Sequence, residues 1–407
     1  MEYKKLGHIA KIQTGPFGSQ LHQSDYKPTG IPCIMPCNIG SNLNIICDNI
    51  AYISEEDLNR LDKHKTQEGD IVYSRRGDIE KCAYISSRES GWLCGTGCLK
   101  VSIDSTIALP KYVAYLLSTP ESKAWLVGNA VGTTMLNLNT TVLSDFPICL
   151  PDLDTQQKVV EIIDSIADKI ELNKRINDNL EQQLQALYNE WFVENPKSDW
   201  HSVNLSEIAT FVSGYSYKGN ELVENSDTAM ATIKNFERNG GFKIDGYKPI
   251  IPSPKLKVDQ RAQLFDILVA HTDLTQNAEV IGNAEILLSK DIYKNLIFSM
   301  DLVKVIAKES FPFQFLLALL LKNPRFKSHC IGYVNGTTVL HMNKKALPDY
   351  ETIIPNLEDA QNLNATAKAI FCQMSENLTE ISNLTEMRDT LLPRLISGEL
   401  KINDLDS

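Results

Sequence analysis

Residues 131–151 read VGTTMLNLNTTVLSDFPICLP, and residues 335–355 read NGTTVLHMNKKALPDYETIIP. An offset of 204 pairs Gly132-Thr133-Thr134 with Gly336-Thr337-Thr338, Leu136 with Leu340, and Asn139 with Asn343. The same offset pairs Leu143 with Leu347, Asp145 with Asp349, Pro151 with Pro355 and Gln157 with Gln361. A phrase written twice in one chain is the mark of an internal repeat. Upstream the match loosens but persists: Leu6, Ile9 and Ala10 parallel Leu205, Ile208 and Ala209, and Gly69-Asp70-Ile71 parallels Phe265-Asp266-Ile267. Asn38-Ile39 parallels Asn235-Phe236. The offset drifts between 196 and 204, so loops differ in length between the halves.

Each copy leads into a long stretch of helical period. After Val159, apolar residues recur at Ile162, Ile166, Ile170, Leu180, Leu184, Leu187 and Trp191, with steps of three and four from Ile166 onward, the seam of a coiled coil. The second copy gives Leu363, Ala367, Ile370, Met374, Ile381, Leu384, Leu391 and Leu395. Asn173 and Asn377 take the same repeat position on the two seams, where a polar residue costs stability and fixes register; two surface asparagines would be the plainer explanation. Proline precedes each stretch, and carboxylates at Asp152, Asp154, Glu358 and Asp359 suit a helix start. A helix from Asp154 to Phe192 would run roughly 58 Å at 1.5 Å per residue.

The two fronts are mixed. DIVYSRRG, KCAYIS, CLKVSI, DILVAH and LVKVIA are expected as strands, while LPKYVAYLLSTPESKAWLV and PFQFLLALLLKNPRFKSHCI are each expected as one helix. The expected fold class is therefore α+β: two similar globular domains alternating with two long antiparallel coiled-coil helices, related by a pseudo-two-fold repeat. The boundaries fall at 1–152, 153–195, 196–356 and 357–402. Paired antiparallel, the helices would hold the two globules roughly 50–60 Å apart, about one and a half turns of B-DNA.

Composition narrows the function classes. The 407 residues are 43% hydrophobic and 22% charged, an ordinary balance for a soluble protein. The longest apolar run, Phe315 to Leu321, is far short of a membrane span, and MEYKKLGHIAKI lacks a secretory apolar region, so a cytoplasmic, membrane-free protein is expected. The nine cysteines contain no C-x-x-C pair. A zinc site from Cys33, Cys37, Cys94 and Cys98 with Cys82 is conceivable, but reduced, half-buried thiols fit the loose spacing better. A net charge of −11 argues against a broad nucleic-acid surface and leaves room for local basic contacts.

Catalytic chemistry finds no support. The Asn-Pro pairs at 195–196 and 323–324 continue with Lys and Arg, not with the second proline and aromatic residue of an adenine methyltransferase. Gly95-Thr96-Gly97 is a lone G-x-G, no phosphate-binding G-x-x-x-x-G-K-[ST] occurs, and the seven histidines form no metal or triad pattern. Candidate DNA contacts come instead from turns after expected strands. In the first half these are Arg75 and Arg76, with Lys81 weaker, in company with Lys11 and Gln20. In the second half the equivalent segment VAHTDLTQN offers His271, Thr272 and Gln276. Lys218, Lys234, Arg238, Lys322, Arg325 and Lys327 are further phosphate candidates. For the arginine pair, an ordinary solvated hairpin turn is an equally simple reading.

LLPRLISGELKI at 391–402, together with the repeated phrase leading into LPDLDTQQKVVEIIDSIADKI, resembles the specificity subunits of type I restriction-modification systems. The layout matches along essentially the whole chain, whereas the motifs are specific only in the two rear segments. One departure stands out: the first copy ends LQALYNEWFVENP where the second has RDTLLPRLISGEL. The resemblance implies two target recognition domains, each reading one half of an interrupted sequence in double-stranded DNA. It implies that the helices set the unread spacer and that Ile166, Ile170, Asn173, Leu180, Leu184, Leu187, Trp191, Ile370, Met374, Asn377, Ile381, Leu384, Leu391 and Leu395 form the coiled-coil and subunit interface. Two methyltransferase subunits would dock there, with restriction subunits joining later. The chain itself would be non-catalytic and hold no cofactor or metal, S-adenosylmethionine being used by the methyltransferase partners. A structural coiled-coil spacer that binds only proteins is the alternative. For the Gly-Thr-Thr phrase, an extended segment follows the glycine where a phosphate cradle would place a helix. A joint seating each globule on its helix fits better, with Thr133, Thr134, Thr337 and Thr338 as lesser candidates for contacts with DNA or the methyltransferase.

Overall fold

The computed structural model describes residues 3–132, 136–275, 277–336 and 339–401. Gln276 and the four threonines of the Gly-Thr-Thr phrases lie outside these. The chain forms two compact units, Met1–Asp168 with Thr385–Ser407, and Lys169–Leu384. Each unit contains one globular portion and a segment of both long helices. The fold is α+β, and the repeat seen in the sequence is a repeat of topology.

In the first unit, Ile71–Ser74 (IVYS) is buried at every position, as a central strand covered on both faces must be. It pairs antiparallel with Cys98–Ile103 and Cys82–Tyr84, and Ala10–Thr14 completes a four-stranded sheet beyond Cys98–Ile103. The second unit builds the same order from Ala209–Ser213, Leu302–Ala307, Ile267–Ala270 and Ala284–Ile286. A second sheet also recurs. Ile31–Ile34 runs parallel to Leu93–Cys94 and antiparallel to Ala51–Ile53; Thr228–Ala231 runs parallel to Asn295–Phe298 and antiparallel to Lys248–Pro249. Closing pairs join Lys4–Lys5 to Pro147–Ile148 and His201–Asn204 to Glu351–Ile354.

Paired side chains confirm the correspondence. Asn38 accepts from the Met35 amide and donates to the Ile46 carbonyl; Asn235 accepts from the Thr232 amide and donates to the Lys243 carbonyl. Lys100 lies 3.4 Å from Asp70 and donates to the Lys65 carbonyl. Lys304 lies 3.3 Å from Asp266 and donates to the Arg261 carbonyl. Matching of this kind offsets the cost of burying amides and charges.

Where one helix was expected in each front, two are present. Pro110–Ser118 is followed by Pro120–Asn129, and Gln314–Leu321 by Pro324–Ile331. Pro120 and Pro324 cannot continue a preceding helix. Thr119 and Asn323 turn instead into N-caps, accepting from the Ser122 amide and from the Arg325 and Phe326 amides.

The long helices are Leu153–Tyr188 and Leu357–Ser397, of 36 and 41 residues. Asp152 caps the first through the Thr155 amide at 2.8 Å, and Asn356 caps the second through the Asp359 amide at 2.9 Å. The helices run antiparallel in each unit. In the first, Val159, Val160 and Ile163 share a core with Leu392 and Leu395. In the second, Asn173 donates to Glu380 at 2.7 Å, Asn377 donates to the Asn177 side-chain oxygen at 2.8 Å, and Leu184 shares a core with Met374. Asn173 and Asn377 are 1% and 5% exposed. They are seam residues, and each takes a different partner. Ile166, Ile170, Leu184, Met374 and Leu395 are buried, while Leu180, Trp191, Ile370 and Leu391 pack partly buried against the cores. Leu187, Ile381 and Leu384 are half-buried. At the start, Ile163 takes the fully buried place expected for Ile162, which is only partly buried. At the end, a π-helical turn over Asn189–Glu194 rotates the register, so Tyr188 and Phe192 are the buried pair beside Leu187 and Trp191. Among the described residues no helix is long and apolar enough to cross a membrane.

Candidate nucleic-acid interface

In the first unit, Ile71–Ser74 delivers Arg75 to the C-terminal end of a central strand. The Arg75 amide donates to the Gly97 carbonyl at 2.8 Å, and its carbonyl accepts from the Leu138 amide at 2.9 Å. Arg76 bridges to Asn137, which also bridges to Val131. A tight turn comes next, in which Ser74 Oγ donates to the Arg76 carbonyl at 2.8 Å. Gly77 has φ +75°, which only glycine adopts cheaply. Lys81, at the far side of the turn, is tied to Asp78 at 2.7 Å.

Arg75 is held from a second direction by an aromatic ring. Its guanidinium carbon lies 5.8 Å from the centre of Phe17, a ring that is itself 53% exposed. Gly15 makes the approach of this loop possible, since a Cβ there would meet the Gly95 carbonyl at 2.1 Å. The turn beyond is closed by Gln20, whose side-chain oxygen accepts from the Phe17 amide and whose amide donates to the Phe17 carbonyl. The Arg75 Nε and the Asn137 Oδ1 are buried without a hydrogen-bond partner. An unmatched buried donor or acceptor costs about 1–3 kcal/mol.

The second unit repeats the backbone with other side chains. The His271 amide donates to the Asp301 carbonyl at 2.8 Å, and its carbonyl accepts from the Met342 amide at 2.9 Å. Thr272 pairs with His341 in register. It is buried, 3% exposed, with its hydroxyl 3.4 Å from His341 Nδ1. Burial, then the neighbouring His341 and Lys344, push His271 below the ordinary histidine value, against a weaker pull from Asp301. Asp273 shapes the next turn, accepting from the Val280 amide and from the Thr275 amide and hydroxyl. Burial would raise this carboxyl, but those donors hold it below the usual range.

Two of the expected cations come together elsewhere in this unit. Lys327 donates to the Glu279 and Arg238 carbonyls at 2.6 and 3.1 Å, and Arg238 pairs with Glu279 at 3.1 Å. Burial lowers the Lys327 ammonium. Lys322 corrects an expectation: it is clamped between Glu285 at 2.5 Å and Glu181 at 3.1 Å, so its charge is already matched. Lys218, Lys234 and Arg325 are exposed, and among the described residues none has a carboxylate within ion-pair distance. Sequence reasoning missed Phe17, Asn137 and His341. The signal for Phe17 was an aromatic residue in a Gly-Pro-Phe-Gly turn, where nothing apolar is needed for packing.

Among the described residues no group of three or more His, Cys, Asp or Glu side chains is placed to hold a metal ion. Cys33 and Cys94 are buried, which pushes their thiols up to about 12.

Comparison with known proteins agrees with this architecture. Residues 1–182 match the type I restriction modification DNA specificity domain. The type I restriction enzyme HindI specificity subunit of Haemophilus influenzae is 26% identical, over 91% of this chain and 95% of its own. The MjaIX specificity subunit of Methanocaldococcus jannaschii is 23% identical, over 99% of this chain and 94% of its own. The crystal structure of a type I restriction-modification S subunit from M. genitalium superposes with a TM-score of 0.56 at 16% identity, covering 97% of this chain and 95% of that one. Residues 1–182 thus carry the type I restriction modification DNA specificity domain, and nearly the whole chain is similar to specificity subunits of type I restriction-modification systems.

Proposed function

We propose that each unit reads one half of an interrupted sequence in double-stranded DNA, that the paired helices set the unread spacer, and that the same helices dock two methyltransferase subunits. In this reading restriction subunits join the assembled complex, and the chain contributes recognition while its partners carry out the chemistry with S-adenosylmethionine. The observation that carries the proposal is a repeated backbone presenting unlike side chains. Arg75 and Arg76 stand where His271 and Thr272 stand in the second unit, with the same main-chain hydrogen bonds around them. Equal scaffolds with different residues beyond one strand suit two different half-sites, because base edges are told apart by side-chain donors and acceptors.

Co-expression with the cognate methyltransferase, followed by sequencing of the methylated genome, tests this reading. An interrupted motif with two unlike halves is expected. A contiguous motif, or no methylation, contradicts it. Removing one heptad from 166–187 together with its partner in 370–391 should shorten the unread spacer or abolish assembly. An unchanged spacer would contradict the role given to the helices.

A further inference from the structure

We propose that Arg75 is the base-reading residue of the first unit, that it reads a guanine through the major groove, and that its neighbour Arg76 contacts the phosphate backbone. The inference rests on the half-site reading above and adds the chemistry of one position in one half.

Charge pairing singles these two residues out. In the first unit Arg60, Arg88, Arg388 and Arg394 each lie within ion-pair distance of a carboxylate, at 2.8, 3.8, 2.7 and 3.3 Å. Arg75 and Arg76 are, among the described residues, the arginines of this unit without one. In a chain of net charge −11, two adjacent guanidinium groups left unmatched just beyond a central strand attract an anionic partner.

The two differ in how they are held. Arg76 is exposed, and only its backbone is engaged. An exposed cation with no fixed side-chain partner suits a phosphate, which needs charge more than direction. Arg75 is fixed at both its amide and its carbonyl, and its guanidinium lies over the Phe17 ring. A planar fork oriented by an aromatic face can meet the O6 and N7 acceptors of guanine together, the commonest specific contact to a base edge. Its Nε is buried without a partner, so the contact with the base edge falls to the two terminal nitrogens. The second unit lacks this device, with His271 and Thr272 at the equivalent positions. A guanine read from this position therefore belongs to the first half of the target.

The test is competition binding by the assembled complex with its methyltransferase partner. Every base pair of the methylated motif is replaced in turn. Wild type, Arg75→Gln, Arg76→Gln and His271→Ala are compared. For Arg75→Gln, discrimination at one guanine should fall by about 10- to 100-fold, with the remaining positions of that half and the whole of the other half still read. Arg76→Gln should weaken all duplexes alike and reduce the salt dependence. His271→Ala should change discrimination only in the other half. Phe17→Leu should reproduce the Arg75 effect at smaller size, since it loosens the fork without removing it. Unchanged discrimination in Arg75→Gln overturns the inference, as does a uniform loss across all duplexes or an effect in the same half as His271→Ala. If wild type itself shows no two-part requirement, the half-site reading fails instead, and the two failures are told apart.

Discussion

The two units share a sheet order and differ just beyond a central strand, and the difference separates what folding requires from what recognition requires. Both keep the asparagine that closes the Met35 or Thr232 turn, the lysine–aspartate pair on the central strands, and a capped start to each long helix. All of these satisfy buried or terminal polar groups, so their replacement would cost stability in either unit. Beyond the strands Ile71–Ser74 and Ile267–Ala270 the backbone repeats and the side chains do not. There one unit carries a guanidinium over an exposed ring, and the other carries two imidazoles near a buried hydroxyl.

The lysine–aspartate pairs give the largest expected contrast. Asp70 is also the acceptor for Ser102 and the Gln67 amide, and its side chain is 5% exposed against 22% for Asp266. Asp70→Ala should therefore destabilise by about 3–5 kcal/mol, because it strands a buried ammonium. Asp266→Ala, with more water at hand, should cost less, about 1–3 kcal/mol. Urea unfolding of the two variants measures this, and equal losses would show that burial does not distinguish the pairs.

The seam asparagines come next. Asn377→Ala leaves the Asn177 side chain short of a partner and should cost about 1–3 kcal/mol. Adding Asn177→Ala should cost less than the sum of the two single changes, and additivity in a double-mutant cycle would remove the pairing from the account. A smaller contrast lies in the repeated phrase itself. Asn139 caps the helix Thr140–Asp145 through the Val142 amide, so Asn139→Ala should lose about 1 kcal/mol. Asn343 accepts from the Lys345 amide over turns with no α-helix behind them, and Asn343→Ala should lose less.

The smallest effect is on pH. Burial lowers both His64 in the first unit and His271 in the second below 6.5. The unfolded chain then binds more protons than the folded one as pH falls through 6.5, so stability present above that value is lost on acidification. Thermal melts from pH 7.5 to 5 should show the loss, and His64→Gln with His271→Gln should flatten it. A profile unchanged by those substitutions would place the sensitivity elsewhere.

Much of this was legible in the sequence because it is periodic. The strands at 71–74, 82–84, 98–103, 267–270 and 302–307 follow from short apolar, β-branched runs, and both long helices follow from the heptad. Two features were misjudged for local reasons. The Thr119-Pro120 and Asn323-Pro324 steps were cap and breaker signals inside apolar stretches long enough to suggest one helix. The turn at Asn189–Glu194 departs from the 3.6-residue period on which the seam assignment depended. The candidate interface was less legible. Arg75 follows visibly from its strand, but its contact with Phe17 joins residues 58 positions apart, which no local pattern announces. Charge alone also misled: Lys322 is as basic as Lys218 in the sequence and is matched by two carboxylates in the fold.

If each unit reads its own half-site, recognition is modular, and one exchange tests this directly. A chain carrying a second copy of residues 1–152 in place of residues 196–356 is assembled with the methyltransferase, and its methylated motif is determined. The account predicts a target whose two halves are the same sequence, each the half now assigned to the first unit. Retention of the original two unlike halves would contradict it.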